Sequence, residues 1–248
     1  MRGATRLATG MLNILLPPRC LSCRALVDRP GSLCGACWRE VDFIETPFCA
    51  GCGWPFDFDE GHDVLCGACA ARSPGYDRGR AVLRYHDRSR RMILGFKHGD
   101  RLDAAPAFGQ WMRRAGRELF EDCHFIAPVP LHRRRLFARR YNQSAVLAHA
   151  LSRETGIPVA ADLLVRVRAT PSQAGRSRKE RVRNVRGAFK VRADGAGKVR
   201  GRKILLVDDV MTTGATVEAC ARVLKGAGAA RVDVLTLARV VHPSQVPI

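Results

Sequence analysis

The thirteen residues Ile204-Leu-Leu-Val-Asp-Asp-Val-Met-Thr-Thr-Gly-Ala-Thr216 constrain the fold of this chain more than any other stretch. Four consecutive apolar residues, Ile204 to Val207, read as a strand buried on both faces, the pattern of a parallel sheet. The apolar run stops at Asp208 and Asp209. A loop of small hydroxyl residues and Gly214 follows, then a helix with Val217, Cys220, Val223 and Leu224 on its apolar side. In open α/β sheets ligands sit outside the carboxyl ends of strands. Thr212, Thr213, Gly214, Ala215 and Thr216 would supply backbone N–H groups, hydroxyls and a helix N-terminus, the parts of a phosphate cradle. Two adjacent carboxylates beside it suit the vicinal hydroxyls of a ribose, or a magnesium ion shared with them. The implied ligand is a sugar phosphate. A P-loop is ruled out, because GxxxxGK[ST] does not occur.

Eight of the ten cysteines form four CxxC pairs: Cys20/Cys23, Cys34/Cys37, Cys49/Cys52 and Cys66/Cys69. Two thiolates at this spacing grip one tetrahedral zinc from a tight turn, and two such pairs complete an all-sulfur site. An iron–sulfur cluster uses the same ligands, but paired knuckles favour zinc. Sequential pairing is the simplest arrangement, with a cross-paired one as its alternative. No histidine, carboxylate or open position is evident, so the metal is expected to be structural. Cys123 and Cys220 stand alone in apolar contexts and read as core. Trp38, Phe48, Trp54 and Phe56, near the knuckles, read as the small core of a metal-stapled module, with stacking on bases as the alternative.

Forty-two basic residues against twenty-three acidic ones give a net charge of +19. Such an excess implies an anionic partner, nucleic acid first, a phosphorylated small molecule second and an acidic membrane third. It is concentrated in two places. Residues 166–203 hold fourteen Lys or Arg against Glu180 and Asp194, and residues 133–140 contribute five arginines. From these clusters Arg133, Arg134, Arg135, Arg176, Arg178, Lys179, Arg181 and Arg183 are the expected nucleic-acid contacts. No apolar run is long enough to span a bilayer. The short stretch Met11 to Leu16 lacks a cleavage site, so a cytoplasmic location is expected.

Three segments follow: an amphipathic helix over 1–16, a double cysteine-knuckle module over 17–72, and an α/β domain over 80–243. In the last, strands are expected at Ala81–Tyr85, Phe125–Pro130, Leu164–Val167 and Val232–Val241. Helices are expected over Arg90–Phe96, Ala104–Leu119 and Asn142–Thr155, with Arg176–Asn184 a charged loop or helix. Alternating elements with short links give a parallel sheet covered by helices.

The segment 204–216 resembles the phosphoribosyl-pyrophosphate (PRPP) motif of type I phosphoribosyltransferases. With cysteine knuckles ahead of it, the chain resembles the ComF family, competence-associated proteins of bacterial DNA uptake. The resemblance also rests on Pro128-Val-Pro130, Arg139-Arg-Tyr-Asn-Gln143, Thr170-Pro-Ser-Gln173, Arg181-Val-Arg-Asn184, Ala188-Phe189, and Lys97 with Gly99. It implies a zinc-ribbon module fused to a phosphoribosyltransferase-like domain. Asp208 and Asp209 would be the catalytic pair at the ribose. Residues Thr212–Thr216 would hold the 5′-phosphate, and Lys97, Arg139 and Arg140 would serve phosphate groups. The family often carries glycine where Arg140 stands. The implied cofactors are structural zinc, and magnesium with PRPP. The implied function is DNA uptake or single-stranded DNA handling, with a helicase-type uptake protein as a partner. The alternative is an active transferase in nucleotide salvage or metabolism, acting on an acceptor the sequence does not name.

Overall fold

The computed structural model describes residues 17–59, 61, 63–98, 101–170 and 178–241, with only the backbone at His98, Arg178 and Lys179. The expected helix over 1–16, together with Gly99, Arg176 and most of Thr170-Pro-Ser-Gln173, lies outside the described residues. Helices α1 (Gly35–Glu40) and α2 (Gly67–Ala71) each begin directly after a cysteine, Cys34 and Cys66. Then come β1 (Gly79–Arg84), α3 (Asp87–His98), α4 (Ala105–Ala115), β2 (Phe125–Pro128), α5 (Arg133–Arg139) and α6 (Gln143–Thr155). The chain continues through β3 (Leu164–Arg166), α7 (Arg178–Val185), β4 (Phe189–Val191), α8 (Ala196–Val199), β5 (Lys203–Met211), α9 (Ala215–Gly226) and β6 (Arg231–Arg239).

Four strands form one sheet of order β1-β6-β5-β2, with every neighbouring pair parallel. The apolar run in β5 shows why both faces are covered. Ile204 and Leu206 enter one core with Val217, Cys220 and Leu224 of α9. Leu205 and Val207 enter the opposite core with Phe96, Phe108 and Leu147 from α3, α4 and α6. Period-two alternation therefore feeds two cores from one strand. Each such side chain contributes about 1.5–3 kcal/mol by leaving water. Cys220 is fully buried, as expected, whereas Cys123 is half-buried.

Three local expectations change. The strand carrying Asp208 and Asp209 does not stop there: β5 runs to Met211, because Val210 and Met211 still pair with Ala238 and Arg239 of β6. The single helix expected over 104–119 is α4 flanked by two 3₁₀ turns, Leu102–Ala104 and Arg117–Leu119. Gly116 marks the second break; a Cβ there would lie 2.7 Å from Leu235 Cδ2. The strand at Leu164 is not in the main sheet. It pairs antiparallel with β4 in a second, two-stranded sheet, and Leu164, Phe189 and Val185 of α7 are buried in the same core as α9.

The cysteine module is docked on the sheet. Phe43 bridges to Leu83, Ile44 N–H donates to Val82 O at 2.8 Å, and Arg84 N–H donates to Asp42 O at 2.9 Å. Gly79 N–H donates to Gly51 O at 2.8 Å. Beside that bond Gly53 adopts φ +69°, where a Cβ would sit 2.4 Å from Gly79 O. Only glycine permits so close an approach of knuckle to strand. Trp54 is buried here, with the Arg239 guanidinium 5.1 Å from its ring centroid. Trp38 is half-exposed and leans on Phe43 at 5.3 Å, so the module's small core is only partly aromatic.

Candidate anion site and metal centres

The carboxyl end of β5 opens into a cavity of about 290 Å³. Asp208 is fixed from beneath: Ser144 Oγ donates to its Oδ1 at 2.9 Å, as does the Asp209 N–H at 2.9 Å. Burial, and then the Asp209 charge, push the Asp208 carboxyl up to about 7, against the pull of Ser144 and Lys97. Asp209 pairs with Lys97 Nζ at 3.0 Å, both side chains being largely buried.

The Arg139–Gln143 motif acts chiefly as scaffold. Tyr141 OH donates to Phe96 O at 2.7 Å and Gln143 Nε2 to Lys97 O at 3.1 Å, which anchors the end of α3 bearing the lysine. Asn142 Nδ2 donates to Val129 O at 3.0 Å, within Pro128-Val-Pro130, while its Oδ1 caps α6 at Ser144 N. Gln143 Oε1 accepts from Arg139 Nη1 at 3.2 Å, setting that guanidinium toward the cavity. Arg140 is the helix C-cap at φ +64°, exposed and outside the cavity lining. A non-glycine residue there costs about 1–2 kcal/mol. The expected phosphate role of Arg140 therefore has no support from the cavity lining, which holds Arg139.

Two of the arginines expected to bind nucleic acid, Arg135 and Arg181, line this cavity. Arg135 Nη2 donates to Thr170 O at 3.0 Å, and Arg181 Nη1 to Thr212 Oγ1 at 2.6 Å. A third, Arg166, was hidden in what reads as an ordinary strand residue. Its guanidinium contacts Thr170 Oγ1 and lies 5.2 Å from the Phe189 ring centroid. Its Nε is buried with no hydrogen-bond partner among the described residues. Burial, then Arg135, lower the Arg166 pKa; burial, then Arg139, lower that of Arg135. Four guanidiniums and Lys97 thus converge on two carboxylates. Crowded, half-buried cations of this kind are unfavourable until an anion joins them. Arg133, Arg134 and Arg183 are exposed and stand outside the cavity lining.

The adjoining loop supplies the cradle. Gly214 takes φ +77° as N-cap of α9, and Asp208 with residues Val210 to Val217 lines a small pocket. Thr212 and Thr216 line both this pocket and the larger cavity. Ala215 is buried, so it offers backbone rather than side chain.

The cysteines fall into two groups in sequential pairing: Cys20, Cys23, Cys34 and Cys37, then Cys49, Cys52, Cys66 and Cys69. Within each, the ligand atoms lie within 4.8 Å of one another. Cys23 and Cys34 sulfurs are 3.6 Å apart, and those of Cys52 and Cys66 3.7 Å. A tetrahedron of zinc–sulfur bonds of ~2.3 Å has edges of about 3.8 Å, so the groups fit that ion. They do not fit disulfides, and all eight thiols are free. Cys34 N–H reaches Cys20 Sγ at 3.3 Å; Cys52 and Cys66 N–H reach Cys49 Sγ at 3.4 and 3.2 Å. Without a metal, hydrogen bonds from the Cys52, Cys66 and Cys69 thiols lower the Cys49 pKa while those of Cys52 and Cys69 are raised, so the group shares negative charge on Cys49. With four sulfurs per site and no open position, zinc here would brace the fold. Among the described residues no helix is long and apolar enough to cross a membrane.

Comparison with known proteins agrees with this architecture. A family model described as "Double zinc ribbon domain" matches residues 11–70, and "Phosphoribosyl transferase domain" matches residues 142–246. The chain is 30% identical to competence protein F of Haemophilus influenzae, over 89% of this chain and 96% of that protein. It is 32% identical to the DNA utilization protein YhgH of Escherichia coli K12, over 91% of this chain and 99% of that protein. Competence protein ComFC of Bacillus subtilis is 28% identical over 84% of each chain. With two such modules in series and relatives matched nearly end to end, the chain belongs to the ComF family.

Proposed function

We propose that this protein binds PRPP, or a closely related ribose phosphate, at the end of β5 and acts on single-stranded DNA during DNA uptake or utilization. The observation that carries the first half is the crowd of cations around Asp208 and Asp209. Thr212, Thr213, Thr216 and the α9 N-terminus would take the 5′-phosphate. Asp208 and Asp209 would accept hydrogen bonds from the ribose hydroxyls. Lys97, Arg135, Arg139, Arg166 and Arg181 would neutralise the diphosphate, with arginine forks suited to paired oxygens. Magnesium would arrive with the diphosphate and offset further charge, and Asp208 and Asp209 are the carboxylates at hand to hold it. The second half rests on the names borne by the relatives, competence protein F and DNA utilization protein, together with the net charge of +19.

A transferase reading is the alternative, favoured by the same pairing of carboxylates and cations in the cavity at the end of β5. An acceptor would have to reach the anomeric carbon within that cavity, beside Asp208 and Asp209, and displace the diphosphate held by Lys97 and the arginines. Diphosphate release with each nucleobase tests it, and silence with all of them removes it.

The DNA reading is tested by salt. Neutralising Z phosphates of a single strand gives a log–log slope of about −0.7Z. With about four contacts, affinity for an oligothymidylate should fall roughly 50-fold between 50 and 200 mM salt. A flat response would contradict DNA binding.

A further inference from the structure

Helix α5 divides its charges between two faces. Arg135 and Arg139, one turn apart, line the cavity. Phe137 lies about 200° around the helix from Arg135, pointing the other way. It is 91% exposed, and its neighbour Leu136 is 40% exposed. Arg133 and Arg134, one turn before Phe137, flank it on the outer face. Both are exposed, and neither forms a side-chain ion pair among the described residues. No acidic residue occurs in the helix.

An exposed ring alone means little, since surface aromatics are common. The contrast with Phe58 decides the point. That ring is 78% exposed but sits between Asp57 and Asp59, which would repel a phosphate chain. Phe137 is the exposed phenylalanine that cations accompany. A ring between guanidiniums matches the single-strand platform, where bases stack and phosphates run alongside. A helical protein partner would call for a broader apolar strip than Phe137 with Leu136 provides.

We infer that the outer face of α5 is a base-stacking platform for single-stranded nucleic acid, with Phe137 stacking a base and Arg133 and Arg134 holding flanking phosphates. This rests on the DNA reading above. It places the strand one helix width from the ribose-phosphate cavity.

The test is fluorescence anisotropy with a labelled oligothymidylate of about twenty nucleotides. F137A should weaken binding at least about 5-fold, and F137W should restore native affinity. An abasic oligomer of equal length should bind native protein and F137A alike, because no base remains to stack. R133Q/R134Q should reduce the salt slope by about 1.4. Phe137 is solvent-exposed, so zinc content and melting temperature should not change in F137A. If native protein binds the oligomer and F137A binds it within twofold, the platform is refuted while the DNA reading stands. If native protein fails to bind, the DNA reading falls first. Loss of binding to phosphatidylserine vesicles in F137A, with oligomer binding unchanged, would assign this face to a membrane and overturn the proposal.

Discussion

Changing Cys49 to serine should lower the metal content from two zinc ions per chain to one and cause a large loss of stability. Structural zinc contributes about 10–16 kcal/mol of apparent binding free energy in small zinc modules at neutral pH. Cys49 sits at the centre of its group: it is fully buried, and its sulfur accepts N–H bonds from Cys52 and Cys66. That ribbon also supports the α/β domain. Arg80 Nη1 donates to Ala50 O at 3.0 Å, and Arg239 at the end of β6 donates to Cys52 O. The melting transition should therefore fall for the whole protein, and ribose-phosphate affinity should fall with it. Cys23→Ser provides the comparison. Cys23 is exposed in the first group, so its loss should release one metal with a smaller stability change. Elemental analysis and thermal denaturation read both outcomes. Two zinc ions retained in the Cys49 variant would contradict the assignment, and an iron-type visible absorbance would replace zinc with a cluster.

Asp208→Asn should raise stability at alkaline pH while weakening the ligand. In the folded protein burial and the Asp209 charge push the Asp208 carboxyl up to about 7, well above an unfolded carboxyl. Below about pH 4 both states hold the proton, and the carboxyl carries no penalty. Between about 4 and 7 the folded state keeps a proton that the unfolded state has lost, so stability falls as pH rises. Above 7 the penalty is complete, on the order of 4 kcal/mol. The asparagine variant escapes it. Its advantage over the native protein should be largest near pH 8, shrink through pH 6, and vanish toward pH 4. Urea titrations across this range measure the difference. A pH-independent difference would mean that Asp208 is not the strained group. Ligand affinity should move the opposite way, because a charge-assisted bond from a ribose hydroxyl is lost, about 10- to 100-fold.

The strand, loop and helix around Asp208 are legible because they are local. An apolar run, two carboxylates, a glycine with positive φ and an amphipathic start lie within sixteen residues or so. The cysteine spacing is equally local, and sequential grouping needs only a knuckle and its successor. What escapes is set by distant contacts. The end of β5 depends on a ladder with β6, and the C-cap of α4 is glycine because Leu235 leaves no room for a Cβ there. β3 leaves the main sheet because Leu164 meets Val191. Charge alone does not tell Arg135 from Arg134, since one residue of helical rotation sends the first to the cavity and the second to solvent. Arg166 gave one clue, a cation inside an apolar stretch. Its meaning appears only once Thr170, Phe189 and Arg135 surround it.

Isothermal calorimetry with PRPP and magnesium, on native protein and on Asp208→Asn, tests the central claim most directly. Native protein should give a single site per chain, with ribose 5-phosphate binding more weakly because it leaves the arginines around Lys97 unmatched. The variant should bind PRPP about 10- to 100-fold more weakly while its zinc content is unchanged. No heat from native protein, or equal affinity in the variant, would contradict a ribose-phosphate site at the end of β5.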